Sequence, residues 1–312
     1  MRALLIVNPN ATSTSPAGRD LLAHALSSQV VLSVAHTTHR GHAAELAHHA
    51  HVDGMDLVIV HGGDGTVNEV VNGMLGAPSA SPGPHLPLAV VPGGSANVFA
   101  RSLGIAADPV EATNQLIDLL ARGARRRVGL GYCDNRWFTF NAGMGLDAHV
   151  CETVDNHRKH GRPPTPGHYV RAAVRAFFAD KHHDPTLTVT IPGAEAVGGV
   201  HYAFVSNSSP WTYFEERPVH TNPGTSFDSG LGVFAMRTTR LVPTLRVARQ
   251  LLAKDGDPEH SALVRADDLP RVRITASAPI GLQMDGDYLG RRDSVEFVSV
   301  PHALEVVADP TA

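Results

Sequence analysis

The residues best suited to chemistry lie in one run, Asp56-Leu57-Val58-Ile59-Val60-His61-Gly62-Gly63-Asp64-Gly65-Thr66-Val67-Asn68-Glu69-Val70-Val71-Asn72-Gly73. An apolar stretch enters a glycine-rich turn, and a helical pattern follows at once, with Val67, Val70, Val71 and Met74 at i, i+3, i+4 and i+7. Thr66-x-x-Glu69 predicts a capping box at the helix start. Glycines let the backbone approach a ligand closely, and a helix N-terminus offers unpaired N–H groups to phosphate oxygens. Asp64 stands inside that anion-attracting turn. A carboxylate there repels phosphate unless it holds a metal ion or accepts a proton.

A second run repeats the arrangement: Leu88-Ala89-Val90-Val91-Pro92-Gly93-Gly94-Ser95-Ala96-Asn97-Val98-Phe99-Ala100-Arg101. Ser95 and Asn97 fall at the predicted helix start. Asn8-Pro9-Asn10-Ala11-Thr12 forms a third polar turn after the first apolar run. In an open α/β sheet all three turns fall on the carboxyl edge, where ligands bind. Further on, Gln283-Met284-Asp285-Gly286-Asp287-Tyr288 reads as a hairpin turn. A carboxylate projecting from it would suit a general base toward a hydroxyl substrate.

The elements that must position these residues change character along the chain. Residues 3–7, 30–34, 57–60 and 88–91 read as strands, the first of them buried. Ser15-Pro16 opens a helix carrying Leu21, Leu22, Ala25 and Leu26, and Asp108-Pro109-x-Glu111 opens another that stops near Gly123. Continuous apolar strands alternating with helices predict a parallel sheet covered on both faces. From about residue 128 the runs 137–140, 186–191, 200–205, 231–236 and 295–300 read as strands, with helices at 169–180 and 244–254. This half is expected to be mostly β, a sandwich or barrel.

The chain has 312 residues, with 26 Lys and Arg against 30 Asp and Glu, a net charge of −4. At 43% hydrophobic and 18% charged it is not a disordered chain, and the length suits about two domains. The slightly acidic balance argues against an electrostatic nucleic-acid binder. Cys133 and Cys151 make neither a disulfide framework nor a C-x-x-C pair, so a reduced, cytoplasmic setting is expected. No stretch approaches the roughly 18 apolar residues of a membrane span, and the apolar start breaks at Asn8-Pro9 before a signal sequence could form.

Other motifs are absent or false. No G-x-x-x-x-G-K-[ST] loop and no kinase H-R-D or D-F-G occurs. Gly143-Met144-Gly145-Leu146-Asp147-Ala148 matches G-x-G-x-x-A, but no second strand and ribose-binding acid follow it. His36, His39, His42, His48, His49 and His51 crowd one segment without a ligand spacing, and read as a solvated helix. Arg125-Arg126-Arg127 and residues 157–162 are basic clusters that read as solvated surface, with anionic lipid headgroups as the alternative. Tyr169, Val170, Ala173, Val174, Phe177 and Phe178 form an apolar stripe read as core, or else as an apolar entrance for a lipid.

Taken together, these strings resemble the diacylglycerol kinase catalytic-domain family of soluble bacterial lipid kinases, which includes sphingosine and ceramide kinase relatives. The resemblance is carried by Asn8-Pro9, Gly62-Gly63-Asp64-Gly65-Thr66 with Asn68-Glu69, Pro92-Gly93-Gly94-Ser95-Ala96-Asn97, the Asn141 to Ala148 string and Asp285-Gly286-Asp287, in family order. It implies an α/β N-terminal domain, doubly wound and NAD-kinase-like, at residues 1–127 with 301–312 returning to it, and a mostly β sandwich domain at 128–300. It further implies ATP in the cleft between them, held by Asn8, Pro9, Asn10, Ala11, Thr12, Thr37, Gly62, Gly63, Asp64, Gly65, Thr66, Val67, Asn68, Glu69, Gly94, Ser95 and Asn97, together with Mg2+. The proton acceptor carries over to Asp287, with Asp64 as the rival assignment. The metal positions carry over to Asp64 and to Ser226, Ser229 and Leu231.

Three positions depart from the family pattern. Val98 stands where many members have an acid, Asp287 replaces a Glu, and Ser229 replaces the Asp of an Asp-Gly-Leu metal site. The expected function is transfer of the γ-phosphate of ATP to a lipid hydroxyl, diacylglycerol or a sphingoid base, in phospholipid metabolism. The expected partner is a lipid surface met peripherally at the inner face of the membrane by a protein with no transmembrane segment, as a homodimer. Two alternatives stay open: an NAD-kinase-like enzyme, and a catalytically silent nucleotide-binding regulator.

Overall fold

The computed structural model describes residues 1–79, 85–145, 186–214, 216–253 and 256–310. The chain divides into two units, the first of Met1–Leu130, Asn135–Trp137 and His302–Ala312, the second of Gly131–Asp134 and Phe138–Pro301.

In the first unit β1 (Arg2–Val7), β2 (Val31–His36), β3 (Leu57–Gly62) and β4 (Leu88–Pro92) run parallel in the order β4-β3-β1-β2. Every residue of β3 is buried, in keeping with the continuous apolar run, not an alternation, at residues 57–60. The strand expected at 30–34 forms as β2, which lies at the edge of the sheet with Val31 and Val34 exposed. On the other side of β4, Val306 at the end of β16 (Asp287–Val306) pairs with Leu88, and Val307 N–H donates to Leu88 O.

Five helices link these strands: α1 (Pro16–Leu26), α2 (His42–Ala50), α3 (Asp64–Met74), α4 (Val98–Ser102) and α5 (Pro109–Ala121). Ser15 caps α1 by accepting from Gly18 N, and Asp108 caps α5 by accepting from Val110 N and Glu111 N, with Pro109 in the first turn. α2 packs on α3, and α1 on α5. Gly73 is required by that packing, because a side chain there would run into the backbone of Ala44.

The second unit is mostly β and antiparallel. β5 (Arg126–Cys133) and β6 (Arg136–Phe138) begin at its border and β7 (Asn141–Met144) lies within it. They are followed by β8 (Leu187–Thr190), β9 (Val197–Val200), β10 (Tyr202–Ser206), β11 (Thr212–Phe214), β12 (Arg217–Val219) and β13 (Leu231–Met236). After helix α6 (Leu241–Leu251) come β14 (Leu263–Leu269), β15 (Arg271–Met284) and the first part of β16. The main order is β14-β13-β10-β7-β15-β16, with β8 and β9 added beside β15. β15 can serve both β7 and β8 because its register shifts between Thr275 and Ile280.

The core of this unit gathers Phe138, Met144, Val205, Val233, Ile274, Met284 and Phe297. A smaller aromatic cluster of Tyr202, Phe204, Phe234 and Met236 receives Val247 of α6. The strand expected at 137–140 is interrupted after Phe138, and the one at 200–205 breaks at His201. The helix expected at 244–254 begins three residues earlier, at Leu241. The helix expected at 169–180, the basic cluster at 157–162, Cys151 and the stretch Leu146-Asp147-Ala148 lie outside the described residues.

Candidate functional site

In the first unit the three polar turns meet through the backbone. Gly62 and Gly63 lie against Gly93 and Gly94: Gly93 N–H donates to Gly62 O at 2.9 Å, and a Cβ built on Gly94 would fall 2.6 Å from Gly63 Cα. A Cβ on Gly63 would fall 3.1 Å from Gly94 Cα. The parallel register that sets Gly62 opposite Pro92 brings the two turns together, so neither can carry a side chain there.

The turn after β1 joins them. Asn8 Nδ2 donates to Thr66 Oγ1 at 3.0 Å, Asn8 Oδ1 accepts from Asn10 N, and Ala11 N–H returns to Asn8 O. Ser13 N–H donates to Gly93 O at 2.8 Å. His61, 2% exposed, lies beneath the turns with Nδ1 on Val91 O and Nε2 on Thr14 Oγ1, each at 3.2 Å. Only a donor can face a carbonyl, so the proton is on Nδ1 and Nε2 accepts from the threonine. Burial lowers the His61 pKa from its ordinary value, with the Val91 carbonyl opposing it and Arg19 adding to it.

The capping box expected at Thr66 and Glu69 is not formed. α3 starts earlier, at Asp64, with Gly63 as an extended N-cap whose carbonyl accepts from both Thr66 N and Val67 N. Thr66 is drawn to Asn8, and Glu69 Oε1 accepts from Gly41 N at 2.9 Å, holding the start of α2. Asp64 is the first helical residue, and its Oδ1 accepts from Phe99 N of α4 at 3.1 Å. Gly65 follows, and a Cβ added there would meet nothing within 4 Å. In the second turn Asn97 adopts a left-handed conformation, φ 50°, and exchanges two hydrogen bonds with Gly94, N–H to Oδ1 and Nδ2 to O, both 2.8 Å.

Not every nucleotide-contact residue inferred from sequence faces this arrangement. Asn68 is fully buried: its Nδ2 donates to Trp137 O at 2.9 Å, and its Oδ1 accepts from Arg136 Nη2 at 2.6 Å. Asn72 adds Oδ1 to Trp137 N, so this pair of asparagines braces β6. Val67 is buried inside α3. Pro9, Asn10, Ala11, Thr12 and Ser95 are exposed or half-buried on the turns, and Thr37, at the end of β2, gives its N–H to Val7 O.

The second unit holds a separate polar node. Asp285 and Gly286, with φ of 48° and 82°, make the two-residue turn between Met284 and Asp287. Asp285 is turned inward: Oδ2 accepts from Thr139 N at 2.7 Å and Thr139 Oγ1 at 2.8 Å, Oδ1 from Phe140 N at 3.0 Å and Asn141 N at 3.1 Å. Burial pushes its carboxyl upward, against the pull of these four donors. Gln283 bridges Gly286 N and Asn141 Oδ1, and Asn141 Nδ2 reaches Trp211 O. Asn207 Nδ2 donates to Thr139 O at 3.0 Å, and neither residue has a signature in the sequence, because their partners are distant in the chain. Asp287 itself is the first residue of β16 and half-buried.

The expected metal positions of this unit close on themselves. Ser229 Oγ accepts from Ser226 N at 2.8 Å, Gly230 N–H goes to Asp268, and the Leu231 side chain is fully buried in the core. Among the described residues no group of three His, Cys, Asp or Glu is arranged to hold a metal ion. Consistent with the solvated-helix reading, His39 stacks on His42 at 4.8 Å and lies near Glu45. Cys133 is buried, which pushes its thiol well above the ordinary range.

The α/β unit with stacked glycine turns and the mostly β unit match a known class. Two crystal structures from Bacillus anthracis str. Sterne share the fold over 99% of this chain at 20% identity. One is of a diacylglycerol kinase, with a TM-score of 0.70 and 97% of that chain covered, and the other has a TM-score of 0.76 and 98% covered. Residues 2–133 match the family model of the diacylglycerol kinase catalytic domain. It is similar to the diacylglycerol kinase of Bacillus subtilis, 27% identical over 279 residues, 87% of this chain and 84% of the relative. A diacylglycerol kinase of Staphylococcus epidermidis is 40% identical over 83 residues, which span 27% of this chain and 23% of that protein. At the level of the family, the relatives support a lipid kinase.

Proposed function

We propose that this protein transfers the γ-phosphate of ATP to the hydroxyl of a lipid, with diacylglycerol as acceptor and phosphatidic acid as product. The observation that carries the reading is the Gly62-Gly63/Gly93-Gly94 contact with Asp64 at the first position of α3. Bare backbone at a helix start suits a phosphate chain. Gly65 fits the same purpose, since a glycine inside a helix costs about 0.5–1 kcal/mol relative to alanine and no neighbour here demands it.

ATP phosphates would lie on the amides of these turns, and Asp64, steadied by Phe99 N–H, is the residue to hold Mg2+. When bound, the ion would neutralise phosphate oxygens during transfer. Asp287 is the proposed base: it takes the proton from the attacking hydroxyl, while Asp285 fixes the turn that presents it. Asp285 is unsuited to that work because four donors already occupy its carboxylate. Positioning and charge compensation would account for most of the acceleration.

A nucleotide-binding regulator without turnover is the second reading, favoured by Val98, which is 1% exposed and part of the apolar core at a position where the family resemblance implies an acid. Label transfer from γ-labelled ATP to diacylglycerol, sphingosine, ceramide and NAD, run in parallel with Asp64→Asn as control, separates the readings. Transfer to a lipid that the control abolishes supports the kinase. Transfer to NAD alone overturns the lipid acceptor, and bound ATP with no transfer supports the regulator.

A further inference from the structure

Helix α6 has two apolar faces. One is ordinary: Val247 is 2% exposed and packs into the Tyr202, Phe204, Phe234 and Met236 cluster, with Leu251 partly buried against it. At about 100° per residue, Val242, Leu245 and Arg249 point to the opposite side. A surface helix normally carries polar residues there. Here Leu241 is 52% exposed, Val242 77%, Leu245 58% and Leu252, just past the helix end, 58%. These four make up a large part of the exposed large hydrophobics among the described residues, and they lie within a dozen positions of one another.

The charge on the same element has one sign. Arg237, Arg240, Arg246 and Arg249 fall between residues 237 and 252, a stretch with no Asp or Glu, in a chain whose net charge is −4. Among the described residues none of these four guanidinium groups forms an ion pair. The basic cluster noted in the sequence behaves differently: Arg125 and Arg127 both lie near Glu305, at 4.0 and 3.6 Å.

We propose that the outward face of α6 docks on an anionic lipid bilayer, with Val242 and Leu245 entering the headgroup boundary and the arginines meeting lipid phosphates. Leucine and valine interleaved with arginine on one exposed helical face is the pattern of an interfacial helix. Arginine suits it, because its stem lies along apolar surface while the guanidinium reaches phosphate bidentately. A second copy of the chain is a poorer occupant, since a two-fold contact through this face would set the four arginines against their own counterparts. The inference rests on the lipid-kinase reading for its purpose but not for its test.

The test is sedimentation of the full chain with vesicles of phosphatidylcholine alone and of phosphatidylcholine mixed with phosphatidylglycerol, without nucleotide or acceptor. The wild type is expected to pellet with the anionic vesicles, and to be released by salt. Val242→Glu/Leu245→Glu and Arg246→Gln/Arg249→Gln are each expected to weaken binding by about tenfold or more. Unchanged unfolding midpoints would show that these exposed changes leave the fold intact. Fluorescence of Trp211, which packs on Phe204 beneath α6, gives a second readout. Equal binding by wild type and both variants, or no binding by the wild type, overturns the proposal. So does a dimer that the variants dissociate. Vesicle binding without label transfer would leave docking standing and overturn the kinase reading; label transfer without vesicle binding would do the reverse.

Discussion

Gly63 and Gly94 approach so closely that a Cβ on Gly94 would lie 2.6 Å from Gly63 Cα. That contact holds two βα turns at one spacing. Gly94→Ala should therefore move backbone against backbone, lowering stability by about 1–3 kcal/mol and weakening ATP binding together. Urea unfolding and calorimetry on the same variant check this, and an unaltered midpoint would contradict the contact.

Gly65→Ala separates binding from folding. A Cβ at Gly65 meets no neighbour, so the substitution should leave stability unchanged or raise it by about 0.5–1 kcal/mol through helix propensity. ATP affinity should nonetheless fall, because the methyl occupies space left for phosphate. If affinity is retained, the phosphate chain does not lie on this turn.

Asp285 and Asp287, two residues apart, should behave as opposites. Asp285→Asn turns an amide NH2 toward two of the four donors and should cost upwards of about 2 kcal/mol of stability. Asp287→Asn should leave the unfolding curve and ATP affinity in place while turnover drops about a hundred- to ten-thousandfold. Full activity in Asp287→Asn would remove it as the base.

Asp64→Asn tests the other carboxylate through metal dependence. The amide can still accept from Phe99 N–H, so folding should persist, while the Mg2+ concentration needed for ATP binding should rise steeply. A titration of Mg2+ against ATP affinity reads this directly, and an unchanged curve would exclude Asp64 as the ligand.

His61 gives stability a pH dependence. Its folded pKa is depressed by burial, so the unfolded chain binds the proton more readily. The contribution is complete above about pH 6.5, and it declines on acidification until the depressed folded value is passed. Urea midpoints for wild type and His61→Gln, compared across that range, should converge as the pH falls.

Much of the first unit is legible in sequence because its information is local. β1, β3 and β4 are apolar runs, Asp108-Pro109 marks its own helix, and Asp285-Gly286 is a turn on inspection. Legibility ends where a side chain answers to a distant partner. Thr66 and Glu69 have the spacing of a capping box, yet Asn8 and Gly41 take them. Asn68 sits in the most suggestive motif of the chain and is consumed by Trp137 and Arg136. Thr139 has no local signature at all, although it supplies two of the four bonds that hold Asp285. The apolar outward face of α6 was hidden for another reason: periodicity reveals an apolar stripe, but not which of two stripes is covered.

The pairing of Val306 with Leu88 bears on the order in which the molecule can mature. β4, which leads into Gly93 and Gly94, acquires its outer neighbour from residues that leave the ribosome only after the whole second unit has been made. The first unit thus cannot close while it is being synthesised; its sheet stays one partner short through the translation of some of the longest strands in the chain. An excised fragment ending near Leu130 would carry the same open edge, whereas a rearranged gene that places residues 302–310 ahead of Met1 would let the unit fold as soon as it emerges.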